Sequence, residues 1–315
     1  METFKHINIL FLGGGRRVTL AQRFIKSGLN LNINVNIFSY EVDRYQPISI
    51  LGTVIKGLKW NDKNLFDDLK KVIEKHSINL IISNVDASLM THSKLKEIYN
   101  AASCISDIEI IRNCLSKDNF RNLCVKEKIS HIPDWDNKTY PFFIKPIQGN
   151  SSIGAQKVLC KEHLEHVLKF SKEIYIKQKY IQGKEFSVDC YVTRAGNITA
   201  ISPRERLRTA GGEVIVSNTI NDEYLKLQSK KIIEKLNLRG PLCLQFILEN
   251  NTSKLFLMEI NTRMGGGIIA SLEAGYDICE MMINDILEMP VNPTLVGKEL
   301  SMKRYFSEYF NEINN

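Results

Sequence analysis

The segment LFLMEINTRMGGG, residues 255–267, begins as an apolar strand and then sets a carboxylate, an amide and a guanidinium at alternate positions. Glu259, Asn261 and Arg263 follow the two-residue period of extended chain, so their side chains share one face while Met258 and Ile260 take the other. The preceding segment LCLQFIL carries Gln245, and a hairpin pairing Leu248 with Phe256 sets Gln245 directly opposite Glu259 on the same face. Singly, each residue has an ordinary explanation: buried amides are hydrogen-bonded to neighbours, and Glu–Arg pairs are common. As a set they are costly to bury without a ligand. Carboxylate and amide oxygens are ligands that Mg2+ accepts, with water and phosphate completing its octahedron. A guanidinium beside them can hold a phosphoryl group that the ions do not reach. The chemistry indicated is metal-assisted handling of a polyphosphate.

Two earlier loops bear on the same chemistry. GGGRRV at 13–18 follows an apolar run and opens a helix-like stretch. Gly13 and Gly15 fit a dinucleotide fingerprint, but Val18 stands where its third glycine or alanine belongs. Glu41 and Asp43 lie where a ribose-binding acid would. A plain tight turn and an anion site at the helix N-terminus are both open readings; Arg16 and Arg17 favour an anion in the crevice. The second loop, Gly149-Asn-Ser-Ser-Ile-Gly154, has Walker-like spacing, yet Ala155 and Gln156 replace the Lys and Ser/Thr of a P-loop. The lysine comes before it instead, as Lys145 in FFIKP. A strand lysine followed by a Gly/Ser loop can cover phosphates with backbone N–H groups; a surface hairpin with a solvated lysine is the alternative.

The elements that must position these residues fall into two textures. INILFL (7–12), NINVNIFSYEVD (32–43) and INLIISNVD (78–86) read as strands alternating with helical stretches, one of them DKNLFDDLKKVIEKHS. That order means a right-handed parallel α/β unit of about 100 residues. Beyond residue 105 the pattern is mixed α+β. SKDNFRNLCVKEK is helical, the strands IYIKQKYI and FSVDCYV flank a turn, and helices are expected at 161–173, 222–236 and 270–288. A polar tail follows Pro290. ISPRERLRTAGGE sets Arg204, Arg206 and Arg208 on one face if extended, then Glu213; these can anchor an acid or simply line a solvated strand edge.

Composition narrows the partners. The 315 residues are 43% hydrophobic and 24% charged, a soluble globular balance, and no apolar run approaches a membrane span. The net charge of +7 is spread over Lys/Arg runs no longer than pairs, without interleaved aromatics. A small anionic ligand is favoured over nucleic acid. Seven cysteines without a CxxC pair and a start without a cleavage pattern point to reduced thiols in a cytoplasm. His163 and His166, one helical turn apart, read as a solvated face.

Lys145 before its glycine-bearing loop, the segment Gln178-Lys-Tyr-Ile-Gln-Gly-Lys-Glu185, and Gln245 with Glu259-x-Asn261-x-Arg263, in this order, resemble the ATP-grasp superfamily. The resemblance is to single-copy proteins related to the carbamoyl phosphate synthase large subunit, and it covers almost the whole chain. It implies an α/β and α+β fold: a Rossmann-like pre-ATP-grasp domain at 1–105, a small lobe with the glycine-rich loop at 106–177, and a C-terminal lobe with the metal site and polar tail at 178–315. It implies ATP, with Lys117 and Lys145 on its phosphates and the loop of Gly149, Ser151, Ser152 and Gly154 closing over them. Gln178 stands where many relatives carry Glu, and its amide oxygen can still accept from the adenine amino group. Lys179, Tyr180 and Ile181 form the hinge against adenine, and Glu185 binds the ribose hydroxyls. Gln245, Glu259 and Asn261 hold Mg2+, two ions in all, with Mn2+ as a substitute. Arg263 and Lys145 act on the transferred phosphoryl group. Arg204, Arg206, Arg208 and Glu213 face the acid substrate, with Arg16, Arg17 and Asp86 as further substrate-side candidates, Asp86 toward an amine.

The reaction so implied is carboxylate–amine ligation. A carboxylate attacks the γ-phosphate to give an acyl phosphate and ADP, and an amine then displaces phosphate. No Ser–His or Cys–His nucleophile is needed, and none is evident. Competing expectations are a nucleotide-binding regulatory protein without turnover, and bicarbonate or ammonia chemistry of the carbamoyl phosphate type. A nicotinamide oxidoreductase built on GGGRR is a third, and it explains nothing after residue 105. Partners are small molecules, with no nucleic acid or membrane; a homodimer is expected by analogy alone.

Overall fold

The computed structural model describes residues 5–147, 154–171 and 173–310. The chain opens with β1 (Lys5–Leu12), α1 (Val18–Asn30), β2 (Ile33–Glu41), β3 (Gly52–Lys56), α2 (Leu65–Lys75), β4 (Leu80–Ser83) and α3 (Asp86–Leu95). The strands form a parallel sheet in the order β3-β2-β1-β4. β4, LIIS, is buried at every position because helices cover both faces. Sequence reading missed the short edge strand β3 and helix α3. It also ran the third strand through Asp86, which instead begins α3.

Next come α4 (Ile108–Leu115), α5 (Lys117–Lys126), β5 (Phe142–Pro146), β6 (Gln156–Val158), α6 (Lys161–Phe170) and β7 (Tyr175–Lys179). The three strands make a small sheet, β6-β5-β7, backed by Trp135 stacked on Phe142 at 3.8 Å. β7 lies whole within this sheet, so a division at 177/178 cuts it.

The remaining elements are β8 (Gly183–Val192), β9 (Ile198–Ala210), β10 (Glu213–Thr219), α7 (Glu223–Lys235), β11 (Gly240–Glu249), β12 (Leu255–Asn261), α8 (Ile268–Glu273), α9 (Ile278–Ile286) and β13 (Ser301–Lys303). The strands form an antiparallel sheet in the order β12-β11-β8-β9-β10-β13. One face packs Val188, Leu244, Phe246, Leu257 and Ile260 on Leu225, Ile232 and Ile233 of α7. The expected helix 270–288 is two helices, broken at Gly275, whose φ of +103° ends α8. The polar tail is also corrected: Ser301–Lys303 pairs with β10.

Two features govern the site. The β11–β12 hairpin pairs Leu248 with Leu255 and Ile247 with Phe256, one residue away from the expected register. A bulge at Met258 then restores Gln245 opposite Glu259 and Cys243 opposite Asn261. Met258, expected on the face away from Glu259, therefore packs with Ile247 and Phe256 on the site side. Second, residues 264–283 share a core with the first sheet: Met264, Ile268, Tyr276 and Met282 pack with Ile7, Phe11 and Phe24. The chain thus passes from the antiparallel sheet into the first domain immediately after Arg263.

Candidate active site

The sheet face opposite α7 carries Glu185, Ser187 and Asp189 from β8, Arg204 and Arg206 from β9, Cys243 and Gln245 from β11, and Glu259 and Asn261 from β12. Asn261 Nδ2 donates to Glu259 Oε1 at 3.0 Å, which leaves the amide oxygen and the second carboxylate oxygen outside that bond. Gln245 Oε1 accepts from Arg206 Nη1 at 2.7 Å. Among the described residues no group of three His, Cys, Asp or Glu can hold a metal. The expected set has one carboxylate and two amides, which fits an ion whose remaining charge is balanced by phosphate.

Lys145 on β5 and Lys117 at the start of α5 face this set. Burial pushes both amines below the usual lysine range, and the Glu259 carboxylate partly restores each. Lys117 Nζ also reaches the Ile147 carbonyl at 3.4 Å. Two lysines and Glu259 thus share one field, as expected for a phosphate site. Gly149, Ser151 and Ser152 lie outside the described residues. Gly154 has φ +72°, and a Cβ there would meet Pro146 at 2.9 Å.

Beside the lysines, Ile181 joins Ile132, Ile247, Phe256 and Met258 in a small apolar cluster. Ile132 and Met258 were not foreseen; the bulge that delivers Met258 has no sequence signal. Among the described residues the buried Gln178 Oε1 has no hydrogen-bond partner. The Lys179 N–H is already given to the Pro133 carbonyl at 2.9 Å, and its Nζ to Glu249 at 2.9 Å. Tyr180 stacks under Lys157. Glu185 Oε2 is 3.4 Å from Arg206 Nε.

The substrate-side candidates separate. Arg204 is 2% exposed and paired with fully buried Asp189 at 2.8 Å, which also accepts from Ser271 Oγ. It is enclosed in the sheet, a correction to the expectation that it faces substrate. Arg206 is held among Gln245, Glu185 and the Gly212 carbonyl, and Arg208 is exposed. Glu213 accepts from Arg304 Nη1 at 2.5 Å, while Arg304 Nη2 reaches the Gly266 carbonyl. Asp86, expected near an amine, accepts instead from Arg263 Nε at 2.5 Å. Arg17 spans the carbonyls of Met264, Gly265 and Gly266; burial, with Arg263 nearby, lowers its pKa to about 10. Arg16 is exposed.

The three glycines after Arg263 now have a reason. A Cβ on Gly265 would lie 2.9 Å from Cys243 Sγ, and one on Gly267 2.6 Å from Arg204 Nη1. Only bare backbone fits over the buried Asp189–Arg204 pair. In the first glycine turn burial raises the Glu41 carboxyl, and Ser39 with the Gly15 and Gly14 backbone opposes that rise. Ser39 Oγ donates to Glu41 Oε1 at 2.6 Å, so Glu41 is engaged inside the domain.

Residues 172–304 match the family described as ATP-grasp in the biosynthetic pathway with Ter operon. The D-alanine–D-alanine ligase of Rickettsia typhi is 29% identical over 170 residues, covering 49% of this chain and 52% of the relative. The chain thus spans about half the length of the curated relatives it matches. In fold it is similar to N5-carboxyaminoimidazole synthetase from Staphylococcus aureus in complex with ADP, with a TM-score of 0.76, 17% identity, and 97% and 84% of the two chains covered. It is also similar to an L-amino acid ligase from Bacillus licheniformis, with a TM-score of 0.68, 14% identity, and 90% and 75% covered. Residues 172–304, which carry the amide and carboxylate positions, thus match an ATP-grasp family, and the chain as a whole shares the fold of these solved structures.

Proposed function

We propose that the protein is an ATP-dependent carboxylate–amine ligase, forming an amide or peptide bond through an acyl phosphate. The observation that carries the reading is the pairing of Gln245 with Glu259, Asn261 alongside, opposite Lys117 and Lys145. The ligase names of the D-alanine–D-alanine and L-amino acid relatives support it.

In this reading the nucleotide lies between the two lobes, its adenine on the Ile132, Ile181, Ile247 and Met258 cluster and its amino group on Gln178. Lys117 and Lys145 neutralise phosphate oxygens, helped by the loop 149–154. Glu259, Asn261 and Gln245 would hold Mg2+, which would screen the phosphates when bound; two ions, or Mn2+ in their place, belong to the same reading. A substrate carboxylate oxygen attacks the γ-phosphorus as the bond to ADP breaks, with Arg263 holding the moving group. The amine nitrogen then attacks the acyl carbon, phosphate leaves with the bonding pair, and the amine loses a proton. Arg206 and Glu213 border the acid side, with Arg208 and Arg16 at its rim. Among the described residues no helix is long and apolar enough to cross a membrane; the seven free cysteines support a cytoplasmic setting. A homodimer is the assembly expected by analogy.

The test is a screen of acids and amines with ADP and phosphate release as readout. Acid-dependent ADP release, with amide formed on adding the amine, is expected. ATP binding without acid-dependent release makes the protein a regulatory binder, and preference for NAD over ATP removes the reading altogether.

A further inference from the structure

Arg263 stands where the chain leaves β12 for the core of the first domain, and Met264 behind it is fully buried there. Groups of that domain therefore set the direction of its guanidinium. Asp86 takes Nε at 2.5 Å, and the pair is enclosed, 19% and 17% exposed. Nη1 donates to the Met264 carbonyl at 3.3 Å; among the described residues Nη2 has no hydrogen-bond partner. The adjacent backbone is fixed from the same side. Arg17 Nη2 binds the Met264 and Gly265 carbonyls at 3.0 and 3.2 Å, and its Nε rests on Asn84 Oδ1 at 3.3 Å. Asn84 and Asp86, two residues apart beyond β4, thus hold Arg17 and Arg263 in turn. Asp86 lies in the first turn of α3, where the helix dipole favours its charge.

We propose that Asp86 is a positioning residue for the phosphoryl-binding guanidinium. By occupying Nε it commits one edge of the fork and leaves the Nη2 edge for the group in transfer. A free arginine loses rotamer entropy on binding; an arginine already held at Nε has lost much of it. The inference rests on the ligase reading above and adds a contribution of the first domain to the chemistry of the second. A resting latch, released before Arg263 works, is the rival arrangement. Anchoring from two points of the first domain, Asp86 at the start of α3 on the guanidinium and Arg17 before α1 on the backbone that follows it, favours a fixed guanidinium.

The test uses the full chain with Asp86→Asn and Asp86→Ala, the first preserving shape if the second folds poorly. Four quantities are read: kcat, KM for ATP, affinity for MgADP alone, and affinity for MgADP with aluminium fluoride as phosphoryl mimic. Positioning predicts unchanged KM for ATP and unchanged MgADP affinity in the folded protein, with a lower thermal midpoint expected from loss of the enclosed ion pair. It predicts kcat and fluoride-complex affinity lower by about 10- to 100-fold in Asp86→Ala, with Asp86→Asn between. In an Arg263→Lys background the Asp86 substitution adds little. Wild-type kcat and fluoride affinity in both variants overturn the proposal. So does faster turnover, the signature of a latch, and so does a fall in MgADP affinity equal to the fall in fluoride-complex affinity. Failure of the ligase reading shows differently: the wild-type chain itself then releases no ADP with any acid, while the fluoride measurement still reads Asp86.

Discussion

Arg206 Nη1 donates to the amide oxygen of Gln245 at 2.7 Å, so the group expected to meet substrate already touches the group expected to meet metal. The same guanidinium lies 3.4 Å from Glu185 and binds the Gly212 carbonyl at the hairpin tip. In the proposed reading Arg206 is thus a junction between the nucleotide and acid sides. Arg206→Ala is expected to lower kcat/KM for the acid by about 10- to 100-fold, matching about 1.5–3 kcal/mol for hydrogen bonds to a charged group. An acid dependence identical to wild type removes Arg206 from that role.

Arg204, two residues earlier on the same face, has the opposite expectation. With Asp189 fully buried beside it, removal of one partner leaves an uncompensated charge and costs about 3–5 kcal/mol. Arg204→Met is therefore expected to lower the urea midpoint steeply while leaving KM for the acid intact in whatever fraction folds. The double variant Arg204→Met with Asp189→Leu loses less than either single one. A selective rise in the acid KM with unchanged stability contradicts the enclosed ion pair.

The contrast between these arginines marks where sequence reading stops. Alternation in LFLMEIN and LCLQFIL is a local property, so the Gln245–Glu259 pairing was legible, even though the register near the turn was one residue out and a bulge corrected it. Strand–helix alternation likewise foretold the parallel sheet. Burial of Arg204 was not legible, because it depends on Asp189 from the neighbouring strand and on a glycine loop from residues 265–267 closing over both. Glu41 filling the first glycine turn, Asp86 meeting Arg263, and Arg304 reaching Gly266 are all contacts between segments far apart in sequence. No periodicity encodes such contacts.

The metal set makes a quantitative demand. One carboxylate and two amides offer a single formal charge, and Gln245 is already engaged by Arg206. Calorimetry is expected to show no measurable Mg2+ binding to the protein alone and clear binding once ADP is present. Glu259→Gln is expected to reduce turnover on the order of 10²–10³-fold. Tight Mg2+ binding without nucleotide requires ligands other than these three.

His92 supplies an acid-sensitive element away from this chemistry. Burial lowers its pKa to about 3, against the opposing effect of the Ala102 backbone, with Nδ1 3.0 Å from Ser83 Oγ. In the unfolded chain it titrates near the usual value of about 6.5, so below that pH the unfolded state binds the extra proton and stability falls until about pH 3. His92→Leu is expected to flatten the thermal midpoint between pH 6.5 and 4. A wild-type slope in that variant assigns the loss to other groups.

Lys145 gives two observables that move in opposite directions with pH. Its folded pKa is depressed, chiefly by burial, so the unfolded state holds the proton more firmly and the stability of the ligand-free protein rises as pH passes from the folded value toward the ordinary value of about 10.4. Phosphate binding needs the charged amine, so ATP affinity falls through the same window. Lys117 is shifted the same way by the same cause, and the two effects add. A lysine on an exposed hairpin shows neither change below the ordinary range. Measuring ATP affinity and ligand-free melting temperature from pH 7 to 10, in wild type and Lys145→Met, separates the cases. The variant is expected to lose both the affinity decline attributable to Lys145 and part of the stability gain. Parallel curves for the two proteins show that Lys145 lies outside the phosphate site.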